Sequence, residues 1–139
     1  MAQRFVYAIA FKEDRFVMVR HRLRKWEMPG GRVEDIETDE EAAVREFLEE
    51  TGMGLDPVGS IDVEGGKVFV GVAGRKVLPH LAREIVEVRE FTELPRELSF
   101  PQVEYEAMLA QAKTIMETFK RRKNIVAPAS PQAKPDVSE

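Results

Sequence analysis

The chain has 139 residues, 43% of them apolar and 33% charged, with a formal net charge of -4. One globular domain with its own core is the expectation at this length, and the negative balance argues against a long nucleic-acid surface. There is no cysteine and there are only two histidines, His21 and His80. Disulfides and thiolate zinc sites are excluded, and any metal must be held mainly by oxygen, which points to magnesium or manganese.

Met1-Ala2-Gln3-Arg4 runs straight into strand-like residues without a signal pattern. No apolar stretch is long enough to cross a bilayer, so a cytoplasmic protein is expected. Phe5 to Phe11 is a nearly unbroken apolar run, Lys12-Glu13-Asp14 a turn, and Phe16 to Val19 a second apolar run. Together they predict a strand pair buried on both faces. A basic stretch follows from Arg20 to Lys25. Trp26-Glu27-Met28-Pro29-Gly30-Gly31 reads as a loop, because Pro-Gly-Gly breaks regular structure. A helix is predicted from Thr38, which has capping-box spacing to Glu41, to Gly52 just past its end. Its apolar stripe is Ala43, Val44, Phe47 and Leu48. Strands are predicted at Val58 to Val63, Lys67 to Val72 and Ile85 to Phe91, with Gly65-Gly66 turning the first two. Tyr105, Met108, Leu109, Ala112, Ile115, Met116 and Phe119 recur at helical spacing, with Pro101 near the first turn. Residues 1–123 form the expected domain. From Asn124 a Pro-rich tail, with Pro128, Pro131 and Pro135, reads as disordered. The order of elements predicts a mixed sheet between helical layers.

The central helix breaks a local rule. Carboxylates are disfavoured near a helix C-terminus by roughly 0.3–1 kcal/mol each. Yet Glu46, Glu49 and Glu50 crowd the last turns at i, i+3 and i+4, where like charges repel. By helical phase this face points away from the apolar stripe and is not core. A divalent cation would remove the repulsion; a solvated acidic face is the plain alternative.

The surrounding residues decide between them. Gly31, five residues, Glu37, seven residues, then Arg45-Glu46-Phe47-Leu48-Glu49-Glu50-Thr51-Gly52-Met53 resembles a complete Nudix box, G-x5-E-x7-R-E-U-x-E-E-x-G-U, with Phe47 and Met53 in the two bulky apolar places. The resemblance implies an α/β/α sandwich with a mixed β-sheet and a loop-helix-loop catalytic motif. It further implies a Mg2+-dependent hydrolase (Mn2+ serving as well) of a small nucleotide-type substrate. Glu46, Glu49 and Glu50 would ligate the metal with the carbonyl of Gly30. Arg45 would orient the box carboxylates, and Glu37 would support the site from the loop. Water would attack phosphorus in line, with Glu46 as the first candidate base and Glu84, Glu97 and Glu104 as alternatives, each also readable as a surface acid.

For substrate, the aromatic-x-x-Pro-Gly-Gly lead-in is similar to MutT-like nucleoside triphosphate pyrophosphohydrolases, and a (d)NTP, oxidised purines among them, is the leading expectation. ADP-ribose, nucleotide sugars, dinucleoside polyphosphates and RNA 5′ ends stay as alternatives, and a nucleotide-binding regulatory module is the non-enzyme alternative. Between Leu55 and Leu78 only Pro57 and no tyrosine occurs, a departure from the ADP-ribose and dinucleoside patterns. Glu93 to Pro101 resembles the late loop facing the base, so Phe100, Gln102, Glu104 or Tyr105 could meet it, with helix capping and packing as the alternative. Arg20, Arg22, Arg24, Lys25 and Arg32 are candidates for the phosphates, against solvated strand-end charges. Lys120 to Lys123 reads as a C-terminal cap and solvated face. His21 and His80 read as surface or structural. Family members often pair, so a homodimer is what the resemblance suggests.

Overall fold

The computed structural model describes residues 3–126, with side chains through residue 123. In chain order it contains β1 (Phe5–Lys12), β2 (Arg15–His21), β3 (Trp26–Glu27), β4 (Gly30–Arg32), α1 (Asp39–Thr51), β5 (Met53–Val63), β6 (Gly66–Lys76), β7 (Ile85–Phe91) and α2 (Gln102–Val126). The strands form one mixed seven-stranded sheet, ordered β3-β2-β1-β6-β5, with β4 paired to β1 and β7 to β2. Only β1 and β6 run parallel among these pairs.

The sheet forks between β1 and β2. They pair at the hairpin end, Phe11 opposite Phe16. The other half of β1 pairs with β4, Phe5 opposite Arg32 and Tyr7 opposite Gly30. Meanwhile β2 pairs with β3, Val19 opposite Glu27. Residues 26–32 therefore bridge the fork, and the Ala8 N–H donates to the Pro29 carbonyl at 2.9 Å. This corrects the expectation of a plain loop at 26–31. Pro29 lies between two short strands, where its missing N–H interrupts neither ladder. Gly30 allows the close approach: a Cβ there would overlap the Val6 carbonyl and Tyr7.

Each face of the sheet carries a helix over its own core. Val6, Ala8, Ala10, Val17 and Phe69 pack with Ala42, Ala43 and Phe47 of α1. Ile9, Phe11, Phe16, Met18, Val68 and Val70 pack with Tyr105, Leu109, Ala112 and Met116 of α2. The unbroken apolar run of β1 is thus explained by alternation into two cores. Small Ala8 and Ala10 under α1 let the helix approach, whereas α2 sits on larger residues.

β5 and β6 are each 11 residues long, well beyond the predicted six. Their interruptions are irregularities, not ends: the register shifts between Met53 and Leu55 and between Pro57 and Gly59. Glycine and proline mark bulges there rather than turns. The hairpin turns on Glu64-Gly65, with Gly65 at φ 81°, and Gly66 already opposes Val63. Helix α2 continues to Val126, three residues past the expected boundary; the rest of the predicted tail lies outside the described residues. Among the described residues no helix is long and apolar enough to cross a membrane.

Candidate active site

Helix α1 starts and stops as its sequence dictates. Thr38 Oγ1 accepts from the Glu41 N–H while the Glu41 carboxylate accepts from the Thr38 N–H, closing a capping box. At the other end Gly52 adopts φ 77°, and a Cβ there would overlap the Leu78 carbonyl. These two devices fix the phase of the helix, and with it which acids face inward.

That phase differs from the one read off the sequence. The buried face is Ala42, Ala43, Phe47, Glu50 and Thr51, and Glu50 is only 8% exposed. Glu46 is largely covered too, its side chain 16% exposed, against 42% for Glu49. So the acidic cluster does not point away from the core; it runs along the seam between helix and loop. The Gly30 N–H donates to Glu50 Oε1 at 3.1 Å. Gly31 presses on Glu46, where a Cβ would overlap the carboxylate. Burial pushes the Glu50 carboxyl up to about 8; the Gly30 N–H opposes the shift, and Glu46, Glu27 and Glu84 add to it. Burial likewise raises Glu46, against the attraction of Arg45.

Arg45 holds the outer acids. Its Nε donates to Glu37 Oε2 at 2.5 Å and its Nη2 to Glu37 Oε1 at 2.9 Å. Its Nη1 reaches Glu46 at 3.2 Å and Glu49 at 3.3 Å, and Nη2 also meets the Arg32 carbonyl at 3.1 Å. This bidentate contact is the main reason the Glu37 carboxyl drops to about 2. Glu37 thus touches Arg45 rather than the inner acids.

Among the described residues no three acids or histidines already converge as a closed metal-ligand set. The donor chemistry nevertheless fits a hard divalent cation. Glu50 is a buried acid facing two or three others, with a single N–H as partner, and added positive charge would relieve it. Carboxylates of Glu46, Glu49 and Glu50 could hold such an ion, with water or substrate oxygens completing the shell.

Beside this seam opens a cavity of about 440 Å³ between the sheet and the first turns of α2. Tyr7, Met28, Val68, Tyr105 and Met108 wall it, and Glu27, Glu64 and Glu104 are its acids. Phe100 lies at its edge, 45% exposed, its ring centroid 6.3 Å from that of Tyr105. The late loop is stitched to β3. The Trp26 N–H donates to the Glu97 carbonyl at 3.0 Å, Ser99 N–H to the Trp26 carbonyl at 2.9 Å, and Lys25 N–H to Ser99 Oγ at 2.9 Å.

The sequence candidates separate on this geometry. Phe100 and Glu104 line the cavity, but Gln102 bonds Glu106 at 2.9 Å on the exposed side of α2 and does not line it. Arg20 pairs with Glu87 at 3.2 Å on β7. Arg22 is exposed, and only its backbone N–H is engaged, with the Glu84 carbonyl at 2.8 Å. Arg24, not Arg20, is the basic residue whose charge feels Glu50. Arg32 shares a recess with Glu46 and lies 5.9 Å over the Phe5 ring. Of the alternative bases, Glu84 is a charge neighbour of Glu46 and Glu50, Glu104 faces the cavity, and Glu97 contributes its carbonyl to Trp26. His21 is buried, and its Nδ1 accepts from the Leu23 N–H at 3.1 Å, a structural role.

Glu27 was not singled out by the sequence. It is 9% exposed, lines the cavity, neighbours Glu50 in charge, and takes Arg24 bidentately at 2.9 and 3.0 Å. An acid set between Trp26 and Met28-Pro29, all buried, was the available signal.

Known proteins bear on this arrangement. The chain matches the NUDIX domain family over residues 1–122. A 48-residue stretch is 46% identical to a Bacillus subtilis (strain 168) protein provisionally named an 8-oxo-dGTP diphosphatase, covering 34% of this chain and 32% of that one. A second protein of the same organism and provisional activity is 45% identical over 47 residues, 34% of this chain and 30% of its own length. The matches thus span about a third of those relatives. Among solved structures, a Bacillus subtilis pyrophosphohydrolase superposes with TM-score 0.64 at 22% identity, over 84% of this chain and 82% of that chain. A NUDIX hydrolase from Nitrosomonas europaea gives TM-score 0.56 at 22% identity, over 88% and 91%. At such identities the likeness speaks for the fold. With the NUDIX domain matched across nearly the whole described chain, this protein belongs to the Nudix family.

Proposed function

We propose that this Nudix hydrolase cleaves nucleoside triphosphates, oxidised purine nucleotides among them, to the nucleoside monophosphate and pyrophosphate, with Mg2+ as cofactor. The observation that carries the reading is Glu50: a buried carboxyl facing Glu46 and Glu27, with the Gly30 N–H as its hydrogen-bond partner. Such an arrangement is unfavourable by itself and becomes favourable around a doubly charged ion. Glu46, Glu49 and Glu50, with the Gly30 carbonyl, would hold it. When bound, the ion would neutralise phosphate oxygens and ease loss of a proton from the attacking water.

The chain's own residues supply the rest. Arg45 fixes Glu46 and Glu49 through paired hydrogen bonds and is itself anchored by Glu37. Glu46 takes the proton of the water as its oxygen attacks phosphorus. The P–O bond that bridges the α- and β-phosphates breaks, and the phosphate group on its far side leaves opposite the attacking water. Arg24 and Arg32 flank the two ends of the acidic seam and would meet the phosphates. The cavity at Phe100 and Glu104 would receive the base. The provisional 8-oxo-dGTP diphosphatase activity of the partial relatives supports this choice over other nucleotide-linked diphosphates.

A panel of nucleoside triphosphates, ADP-ribose, a nucleotide sugar, diadenosine polyphosphate and 5′-triphosphorylated RNA, assayed with Mg2+ for released products, tests it. Triphosphates are expected to have the highest kcat/KM. If they rank among the slowest substrates, the proposal is lost.

A further inference from the structure

We infer that the outer edge of β7 is a self-association surface, on which a second copy of this chain lays its own β7 antiparallel about Val88 and continues the sheet.

The edges of the sheet are not built alike. β5, at one side, carries Pro57, two irregularities of register and the exposed Asp56 and Asp62. β3 is two residues long, and the late loop holds its backbone at Glu97 and Ser99. Such devices keep an edge from pairing with another chain. β7 lacks most of them. It pairs with β2 alone, without a break from Glu87 to Phe91. Its seven residues include neither proline nor glycine, and its irregularity lies at the Ile85 end. Among the described residues, positions 86–91 make backbone hydrogen bonds to no segment other than β2. Alternate residues of β7 therefore turn N–H and C=O outward with no protein partner. Val86, on the same strand, is 45% exposed.

The order of charges selects the occupant. With two antiparallel strands and Val88 opposite itself, Glu87 of each copy faces Arg89 of the other. Directly opposed residues share a face of the sheet, so both pairs fall on the same side. On that side β2 already sets Arg20 opposite Glu87. Arg20, Glu87 and Arg89 of the second copy would make one row of alternating charge across three strands. Within one chain Glu87 takes both Arg20 and Arg89, yet the Arg89 side chain stays 55% exposed and free to reach outward. Glu90, which would fall opposite Val86, is already neutralised by Lys12 and Arg15.

The same charges exclude the neighbouring registers. Sliding the strands by two residues opposes Glu87 to Glu87 or Arg89 to Arg89, and like charges directly opposite destabilise the pair. Sliding by one sets outward backbone groups of one strand against inward groups of the other. The edge is thus complementary to itself in one register. A pair this short covers little surface, so association is weak and shows at high protein concentration.

The test is sedimentation equilibrium of the full chain from about 0.01 to 1 mM, where reversible dimerisation is expected. Glu87→Arg sets arginine against arginine at both crossings, and Arg89→Glu sets glutamate against glutamate. Each variant should dimerise at least about tenfold more weakly than the wild-type chain. An equimolar mixture of the two variants restores both opposite-charge pairs, and should recover the wild-type affinity as a heterodimer. Unchanged circular dichroism checks that each variant is folded, and the recovery on mixing is a readout that misfolding would not give. A wild-type chain that stays monomeric throughout, a dimer unmoved by both reversals, or two monomeric variants whose mixture stays monomeric would each overturn the inference.

Discussion

The acidic seam and the cavity lie side by side, the cavity's Glu27 being a charge neighbour of Glu50, yet they are built in opposite ways. The seam comes from one continuous segment, Gly31 to Met53, in which a capped helix sets the spacing of every acid. The cavity is assembled from segments far apart in sequence: Tyr7, Glu27-Met28, the β5–β6 hairpin, and Phe100 to Met108. A local device can hold fixed chemistry while a composite one varies its lining. On the proposed function, reaction and selectivity are encoded in separate parts of this chain.

It also explains what was legible. The capping box at Thr38, the stop at Gly52 and the fixed box spacing are short-range, so the helix and the family pattern were readable directly. The stripe Val6/Ala8/Ala10 against Ile9/Phe11 was readable as burial on both faces, though not which core each enters. Helical phase sets Glu49 opposite the apolar stripe, but at about 100° per residue Glu50 falls only about 20° from Ala43, so its burial was within reach of the spacing. What the sequence did not show is its partner, because that depends on Gly30 crossing the fork of the sheet to meet it. Nor could sequence separate Arg20, held by Glu87 of β7, from Arg24, held by Glu27. The strand pairing that decides between them joins residues 67 apart.

The contrast can be broken first at its strongest point. Glu50→Gln keeps an acceptor for the Gly30 N–H but removes the charge. It should cut kcat about a thousandfold with the fold intact, as read by steady-state assays and circular dichroism. Full activity would show that the seam is not the reaction centre. Next, Gly31→Ala should lower kcat roughly a hundredfold by displacing the Glu46 carboxylate that the new Cβ would overlap, with KM little changed.

Third, Glu37→Gln separates scaffold from chemistry. Glu37 titrates near 2 instead of its ordinary 4.5 because Arg45 holds it. A depressed acid stabilises the fold above its unfolded pKa and loses that contribution as pH falls through the folded one. The variant should therefore be less stable by about 1–3 kcal/mol above about pH 5, and the gap should close toward pH 2. Thermal unfolding across pH measures it; a gap that widens in acid would contradict the assignment. Smallest of all, Arg20→Ala should change kcat/KM by less than about twofold, since it breaks an exposed ion pair between β2 and β7.

The most direct measurement is uptake of Mn2+, followed by electron paramagnetic resonance in the presence of a non-hydrolysable nucleoside triphosphate. The wild-type chain should bind the ion, and Glu49→Gln and Glu50→Gln should each weaken that binding strongly while remaining folded. Undiminished uptake in both variants, or none in the wild-type chain, would contradict the claim that these acids are assembled around a divalent cation.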